Sequence, residues 1–368
     1  MKSIDPKYDS LQPAPHGETA CRRELSVVMA SRLDAMAAPG GGEVQMLATA
    51  ESLRSVSVVG RPWRPWEDSL ADVDCLHLFG SSREHLFVVE AARRHNTRIV
   101  LSPITWFDWI NCWREPESLT KRLAACARYA VRAAMPKIPS WRRRLYHSVD
   151  LLLPNSNAEA RQLMELFDVA PDRIHIVPNG ADPRFAQGMP EPFGCLTGGT
   201  GFVLCAGRIE PRKNQLQLIR SLRGAGVQLV ILGDVVPGHE SYLADCAREA
   251  DSHVQFIPRL DHGDTLLADA YAACGCLALT SWFETPGLVA LEAAMQGTPL
   301  VLPAGGCAEE YFGPMATYVN PNDLPGIRRA VLEAVNCPRS SELAQIVQTC
   351  YSWNAAAAAT REAYERIL

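Results

Sequence analysis

The strongest constraint on this chain is a rhythm in its hydrophobicity. Short, mostly apolar runs recur at residues 25–30, 56–59, 74–79, 98–101 and 149–153. They recur again at 202–206, 228–232, 254–257, 276–280, 300–302 and 317–319. Helical patterns lie between most of them, among them 43–54, 214–223, 242–250, 287–296 and 324–335. Runs without polar alternation suit strands buried on both faces. Strands alternating with helices predict parallel sheets covered by their crossovers. Two stretches break the rhythm. Residues 106–147 are helical and irregular. Residues 182–200, rich in Pro and Gly (Pro183, Gly188, Pro190, Pro192), read as a linker. A further strand is expected at 173–177, closed by Pro178-Asn179-Gly180. The fold class is therefore α/β, with two doubly wound Rossmann-like domains, 1–188 and 189–349, facing a cleft. The tail over 341–368 reads as helical, with strong helix formers at Ala355 to Ala359. Ligands of such sheets bind beyond the carboxyl ends of the strands, which two facing domains would place between them.

Composition narrows the partners. The 368 residues, 47% hydrophobic and 21% charged, suffice for two cores. A formal net charge of -5 leaves no global basic excess, so no nucleic acid is expected. None of the 12 cysteines forms a Cys-x-x-Cys pair, and Cys75, Cys205, Cys274 and Cys276 sit in or beside apolar runs. They read as buried thiols of a reducing compartment, not zinc ligands. Residues 1–23 are polar and lack the apolar core of a signal peptide, and no apolar run reaches the roughly 20 residues that span a bilayer. The expectation is a cytoplasmic protein, or a peripheral one on the inner membrane face.

Four loops at expected strand ends carry site chemistry. Gly207-Arg208-Ile209-Glu210-Pro211-Arg212-Lys213-Asn214 follows the 202–206 strand and opens a helix. A guanidinium fork and an ammonium at a helix start suit a diphosphate; a solvated loop with incidental charges fits equally. Glu284 follows the 276–280 strand, and Glu292 lies eight residues on, inside an apolar helix face (Leu288, Leu291, Ala294, Met295). A carboxylate there is costly unless hydrogen-bonded. Sugar hydroxyls are natural donors, and backbone amides are the structural alternative. Pro286 and Gly287 suit the start of that helix. Gly40-Gly41-Gly42 permits close backbone approach to a ligand, yet does not complete Gly-x-Gly-x-x-Gly, which argues against a nicotinamide enzyme. Gly305-Gly306, ahead of Glu309 and Glu310, also opens a helix and reads as well as a plain turn.

Together these residues resemble the group 1, or family 4, retaining glycosyltransferases of the GT-B fold. The family's Glu-x7-Glu signature reads Glu284 to Glu292, followed by Ala293-Ala294-Met295-Gln296-Gly297-Thr298-Pro299. The 207–214 loop matches its donor diphosphate site, and Gly41 and Gly42 with Gln45 and Leu47 match its N-terminal glycine turn. Val177-Pro178-Asn179-Gly180 matches the end of its first domain. The resemblance covers residues 25–368 and is most specific in the second half. It implies that Arg208 and Lys213 hold the diphosphate, that Glu284 holds donor-sugar hydroxyls, and that these three form the catalytic set. It implies that Glu292 holds the ribose, that amides near Gly287 and Leu288 meet the phosphates, and that Arg259 and Leu260 end the segment facing the base. A tail helix, 350–368, would cross back onto the first domain. No metal and no cofactor are expected: fixed cations would stabilise the leaving diphosphate in a front-face mechanism. The chain departs from the family at Thr285-Pro286, where many members carry Gly-Phe. It departs again at Ser102-Pro103-Ile104-Thr105, where many carry a His. His77, Trp106 and Asp108 are the acceptor-side candidates.

From Lys121 to His147 there is no Asp or Glu, while Trp106, Trp109, Trp113 and Trp141 interleave with arginines. Such a 121–144 segment suits an anionic membrane or a diphosphate-linked lipid acceptor; a solvated helical insertion fits equally. The leading reading is transfer from a nucleotide-diphosphate sugar to a cell-surface glycan or lipid-linked saccharide. The alternatives are another GT-B chemistry (a nucleotide-sugar epimerase or a sugar-phosphate synthase) and a non-catalytic partner subunit.

Overall fold

The computed structural model of the chain describes residues 23–32, 40–114 and 118–368. The polar stretch 1–22, on which the reading of a missing signal peptide rests, lies outside the described residues. Two all-parallel sheets organise the rest. The first, in the order β2-β1-β3-β4-β5, contains β1 (Leu25–Ala30), β2 (Val58–Pro62), β3 (Cys75–Phe79), β4 (Arg98–Ser102) and β5 (Leu151–Leu152). The second runs β11-β10-β9-β6-β7-β8. It contains β6 (Val203–Ala206), β7 (Leu229–Leu232), β8 (Val254–Ile257), β9 (Cys276–Ala278), β10 (Leu300–Pro303) and β11 (Thr317–Val319). In each sheet the chain starts centrally, moves to one side, and returns to the other side of its first strand. The order thus reverses between β1 and β3 and between β6 and β9. Crevices open at the carboxyl ends of such reversal points.

All of β6, β7 and β10 is buried, which accounts for runs without polar alternation. Alternate residues feed opposite cores: Val203 and Cys205 join one apolar cluster, Leu204 and Ala206 another. Val27 and Val28 divide in the same way in the first domain.

Two local expectations are corrected, and the tail is helical as expected. Residues 173–177 form no strand: Ile174 makes a single bridge with Leu152, and His175 N and Val177 N donate to Leu152 O and Pro154 O. β5 is two residues long and Pro154 has no amide hydrogen to return a bond, so the ladder cannot extend. The 182–200 stretch is not an open linker. It forms a 3-10 turn, Pro183–Gln187, and a helix, Pro190–Thr197, each with Pro in its first turn. Phe185 and Phe193 are fully buried in the core of the second sheet, and Gly188 is needed because a Cβ there would lie 2.1 Å from Ala268 O. The tail is two helices, Ser341–Cys350 and Trp353–Glu365, parted where Ala181 N donates to Tyr351 O and pairs with Ser352.

The Trp353–Glu365 helix crosses back to the first domain. It packs on the Gly41–Ser52 helix and the Leu53–Val56 turn, and Trp353, Ala356, Ala357 and Tyr364 enter the first domain's core. Arg361 fixes it by donating to Ser57 O (2.9 Å) and Arg23 O (3.1 Å). The domains also touch beside the cleft. The Glu310 carboxylate accepts from Asn157 N (2.6 Å) and Ala158 N (3.1 Å), at the start of the Asn157–Phe167 helix. Tyr311 donates to Asn155 O and accepts from Asn179 N. Among the described residues no helix is long and apolar enough to cross a membrane.

Candidate active site

The cleft holds a cavity of about 600 Å³ built from the loops at both reversal points. All ten donor-side residues expected from the sequence line it: Gly41, Gly42, Arg208, Lys213, Arg259, Leu260, Glu284, Gly287, Leu288 and Glu292.

The loop after β6 turns on Gly207 (φ +138) and rises through the Pro211–Lys213 3-10 turn. Asn214, in the left-handed region, starts the next helix. Asn214 Nδ2 donates to Thr280 O (3.0 Å) and Thr280 Oγ1 to Asn214 O (3.2 Å), tying this loop to the end of β9. The tie sets Lys213 Nζ 2.6 Å from Glu284 Oε1, which Ser281 also meets with its hydroxyl. Burial opposes ionisation of Glu284, but Lys213 and Arg212 outweigh it and hold the carboxyl below its ordinary range. Burial likewise lowers the Lys213 ammonium, offset in part by Glu284. The Gly305-Gly306 turn has a structural use here. Glu284 N donates to Gly305 O and Cys307 N to Glu284 O, and a Cβ on Gly306 (φ +106) would sit 1.9 Å from Glu284 O. Gly287 (φ +90) lies so close that its Cβ would be 3.2 Å from Glu284 Oε2.

Glu292 sits on the Leu288–Ala294 helix and is 4% exposed. It already has two protein donors: Tyr271 OH at 2.6 Å and His262 Nε2 at 2.9 Å. Arg184 Nη2 approaches His262 Nδ1 at 3.0 Å, so Nδ1 accepts and Nε2 carries the proton toward Glu292. The sequence offered sugar hydroxyls or backbone amides as donors to this buried charge; the protein's own donors are instead two side chains, and a carboxylate, with about four acceptor positions, keeps some free. Neither Tyr271 nor His262 was picked out from the sequence. Both follow β8, tens of residues of chain from the loop after β6, and only packing brings them to Glu292.

Arg208 reaches across the cleft. Its Nη2 meets Glu210 at 3.3 Å, and its Nη1 comes within 3.3 Å of where a Cβ on Gly40 would lie. Gly41 faces Leu288, so the glycine turn abuts the second domain, while Gly42 faces Ile104 of its own domain. Arg212, unassigned by the sequence reading, bonds Glu210 (3.0 Å) and stacks on Phe283 at 5.2 Å. Arg259 N donates to Asp234 Oδ1 (3.0 Å) at the cavity's far wall.

The acceptor-side candidates divide. His77 does not face the cleft. It is 1% exposed, its Nδ1 bonds Tyr364 OH (2.7 Å) and its Nε2 bonds Ser102 Oγ (2.9 Å). Burial pushes its pKa to about 3, so it stays neutral and locks β3 to the C-terminal helix. Trp106 and Asp108 line a second cavity of about 950 Å³ in the first domain. Asp108 is already engaged, by Trp106 Nε1 (2.8 Å) and by Asn111 N (2.7 Å) at the start of the Trp109–Arg114 helix. Among the described residues no His, Cys, Asp and Glu group has the arrangement of a metal site. One Asp-x-Asp triplet does occur, Asp72-Val73-Asp74, but it enters β3 at its amino end, away from the cleft, and Asp74 binds Ser26 N and Arg23.

Two parallel-sheet domains, a cleft at their reversal points and a helix crossing back define the GT-B fold. Solved structures agree. Sucrose-phosphate synthase from Thermosynechococcus elongatus has a TM-score of 0.71 at 16% identity, over 94% of this chain and 99% of that one. Anabaena HepE, in complex with UDP and glucose, has 0.70 at 16%, over 94% and 100%. Residues 196–349 match the glycosyl transferases group 1 family, and residues 37–185 match Glycosyltransferase Family 4. The chain belongs to the group 1, family 4 glycosyltransferases. A D-inositol 3-phosphate glycosyltransferase of Stackebrandtia nassauensis is 34% identical over 183 residues, 43% of this chain and 39% of that protein. The aligned stretches span 39–59% of the length of the first curated relatives.

Proposed function

We propose that the chain is a retaining, metal-independent glycosyltransferase that moves a sugar from a nucleotide-diphosphate sugar to a hydroxyl of a saccharide or lipid-linked acceptor. The observation that carries this reading is the buried Lys213–Glu284 pair, with Arg208 reaching over it to the glycine turn. A cavity lined by Arg208 and Lys213 and by the buried carboxylates of Glu284 and Glu292 suits a leaving diphosphate beside a polyhydroxyl ring. Breaking the glycosidic bond to the nucleotide places new negative charge on the β-phosphate. Arg208 and Lys213, already fixed, stabilise that charge more than the ground state. Glu284 accepts from donor-sugar hydroxyls, and Glu292, oriented by Tyr271 and His262, accepts from the ribose. The backbone at Gly287 and Leu288, with Arg259 and Leu260, completes the donor wall. The acceptor hydroxyl attacks from the face the diphosphate leaves, and its proton passes to a leaving phosphate oxygen.

A cell-surface glycan or lipid-linked acceptor is the finer part of the proposal, with peripheral contact to an anionic membrane through residues 121–144. The Leu119–Ala134 helix supports it: it buries none of its residues and leaves Leu119 and Leu123 exposed beside Lys121 and Arg128. A thermal-shift panel of UDP, GDP and ADP sugars tests the core reading. Stabilisation by one of them, lost in Lys213→Ala and Glu284→Ala, is the expected result. Transfer that survives both substitutions refutes the assigned site.

A further inference from the structure

Glu159 is fully buried, yet it has no ion pair among the described residues. It stands three residues after Ser156, the N-cap of the Asn157–Phe167 helix, and donates its own amide to Ser156 Oγ at 3.1 Å. In a capping box such a Glu returns to the amide of the N-cap itself. Here both oxygens go elsewhere. Oε1 accepts from Thr105 N at 2.7 Å and Oε2 from Asn155 N at 2.9 Å. Thr105 belongs to the loop after β4 and Asn155 to the loop after β5, so one carboxylate clasps the carboxyl ends of two paired strands. Two converging N–H donors call for a group that only accepts; a glutamine would turn its own NH2 toward one of them.

Each bond leads to the seam between the two cavities, which share Ile104, Phe283 and Thr285. Ile104, next to Thr105, has a φ of +48. A β-branched residue is strained in that left-handed region and stays there only where its surroundings over-determine it. Glu159 holds Thr105, and Gln162, one turn on, holds Phe107 by accepting from its amide and donating to its carbonyl (2.9 Å each). On the other side Asn155 Nδ2 donates to Thr285 O at 3.4 Å, next to Glu284 in the second domain. Tyr311 OH donates to Asn155 O (2.6 Å), and Cys307 Sγ to Asn155 Oδ1 (3.7 Å).

The surroundings leave the charge of Glu159 without a counterion. Tyr146, from the Trp141–Ser148 helix, and Cys307, ahead of the Ala308–Phe312 helix, face it as neutral groups, since burial pushes both up, Tyr146 to about 12. Glu310 engages Asn157 N and Ala158 N of the same helix start. The cations of the flanking helices lie on rings: Arg142 on Trp141 and Phe107, Arg132 on Phe167. Burial outweighs the two amides and pushes the Glu159 carboxyl up to about 7. Protonation turns one of its oxygens into a hydroxyl, which accepts less well and has its own hydrogen to place beside an N–H.

We propose that Glu159 is a positioning residue for transfer: as a carboxylate it holds Ile104 and Thr285 along the seam of the two cavities, and uptake of one proton releases one side of that clasp. Transfer is thereby tied to pH through a group that touches no substrate. The inference rests on the transferase reading of the donor cavity.

Release of nucleoside diphosphate from UDP-glucose, GDP-mannose and ADP-glucose is followed at saturating donor from about pH 6 to about pH 8, beside nucleoside diphosphate affinity and melting temperature. The parent's turnover should rise about tenfold over this span, as a group with a pKa of about 7 loses its proton. Glu159→Gln should work at the parent's low-pH rate without the rise, while KM and nucleoside diphosphate affinity stay unchanged. Stability should run the other way. The folded pKa lies above the ordinary carboxyl value, so the parent gains stability relative to Glu159→Gln as pH falls from about 8 to about 5. The parent alone gives a further readout. Amide exchange in peptides covering residues 103–108, corrected for its intrinsic pH dependence, should be several-fold slower at about pH 8 than at about pH 6, because Thr105 N then keeps its acceptor. A parent turnover that does not rise, a Glu159→Gln variant that keeps the rise, or exchange that ignores pH overturns the proposal and leaves the transferase reading standing. Neither release nor nucleoside diphosphate binding overturns the transferase reading, and the positioning role with it.

Discussion

Lys213→Ala strands a carboxylate that is 4% exposed. In the intact chain Lys213 Nζ is 2.6 Å from Glu284, and Ser281 supplies only a neutral donor beside it. Breaking one side of a buried ion pair costs about 3–5 kcal/mol. Arg212 still acts on Glu284, and the Lys213 side chain keeps 14% exposure, so the lower end, about 3 kcal/mol, applies. At roughly 2–4 °C per kcal/mol for a domain of this size, the melting transition should fall by about 6–12 °C near pH 7.5. The pH dependence follows from the sign of the shift. Glu284 is depressed in the folded chain, so its contribution is complete above the unfolded carboxyl pKa and is lost as pH falls through the lower folded value. In Lys213→Ala the burial remains and the nearest cation is gone, which favours the protonated carboxyl. Acidification toward about pH 5 should therefore narrow the gap between variant and parent. Calorimetry from pH 8 to 5 measures this. Lys213→Ala/Glu284→Gln should recover most of the loss. A pH-independent gap, or a double variant no better than the single one, would refute the view that an isolated charge is the cause.

Tyr271→Phe leaves Glu292 with His262 as its side-chain donor and should weaken nucleoside diphosphate binding about tenfold by isothermal titration; unchanged affinity would move the ribose away from Glu292. Gly306→Ala drives a Cβ into Glu284 O at a φ of +106 and should cost several kcal/mol, on the order of 3 or more, in thermal denaturation; a variant as stable as the parent would contradict the described turn. His77→Gln should lower stability yet leave the pH profile of transfer between 6 and 8 unchanged, since His77 is already neutral with a pKa of about 3; a displaced profile would make it a titrating catalytic group.

The sheets were legible because β6, β7 and β10 are buried on both faces and need uninterrupted apolar runs. The cavity lining was legible in part because the loops carrying Arg208, Lys213 and Glu284 follow apolar runs, and in part through the family resemblance, which supplied Gly41, Gly42, Arg259, Leu260 and the role of Glu292. Three things were not. Pro-rich residues 182–200 look like a tether in one dimension, whereas Phe185 and Phe193 anchor them in a core assembled from distant chain. His77 looked available because its partner, Tyr364, lies 287 residues away. His262 and Tyr271 carried no local pattern, since their importance depends on where Glu292 falls in space.

The pairing of Ala181 with Ser352 has a mechanical consequence. The chain passes between domains twice, and the two passages lie side by side, joined by Ala181 N to Tyr351 O and pressed together where a Cβ on Gly180 would lie 2.3 Å from Ser352 C. Two adjacent straps bend together about a shared line and resist independent twisting. The domains are thus coupled like leaves on a piano hinge, and cutting the chain after Ser352 would leave one strap and an uncovered face where Trp353 and Tyr364 now sit.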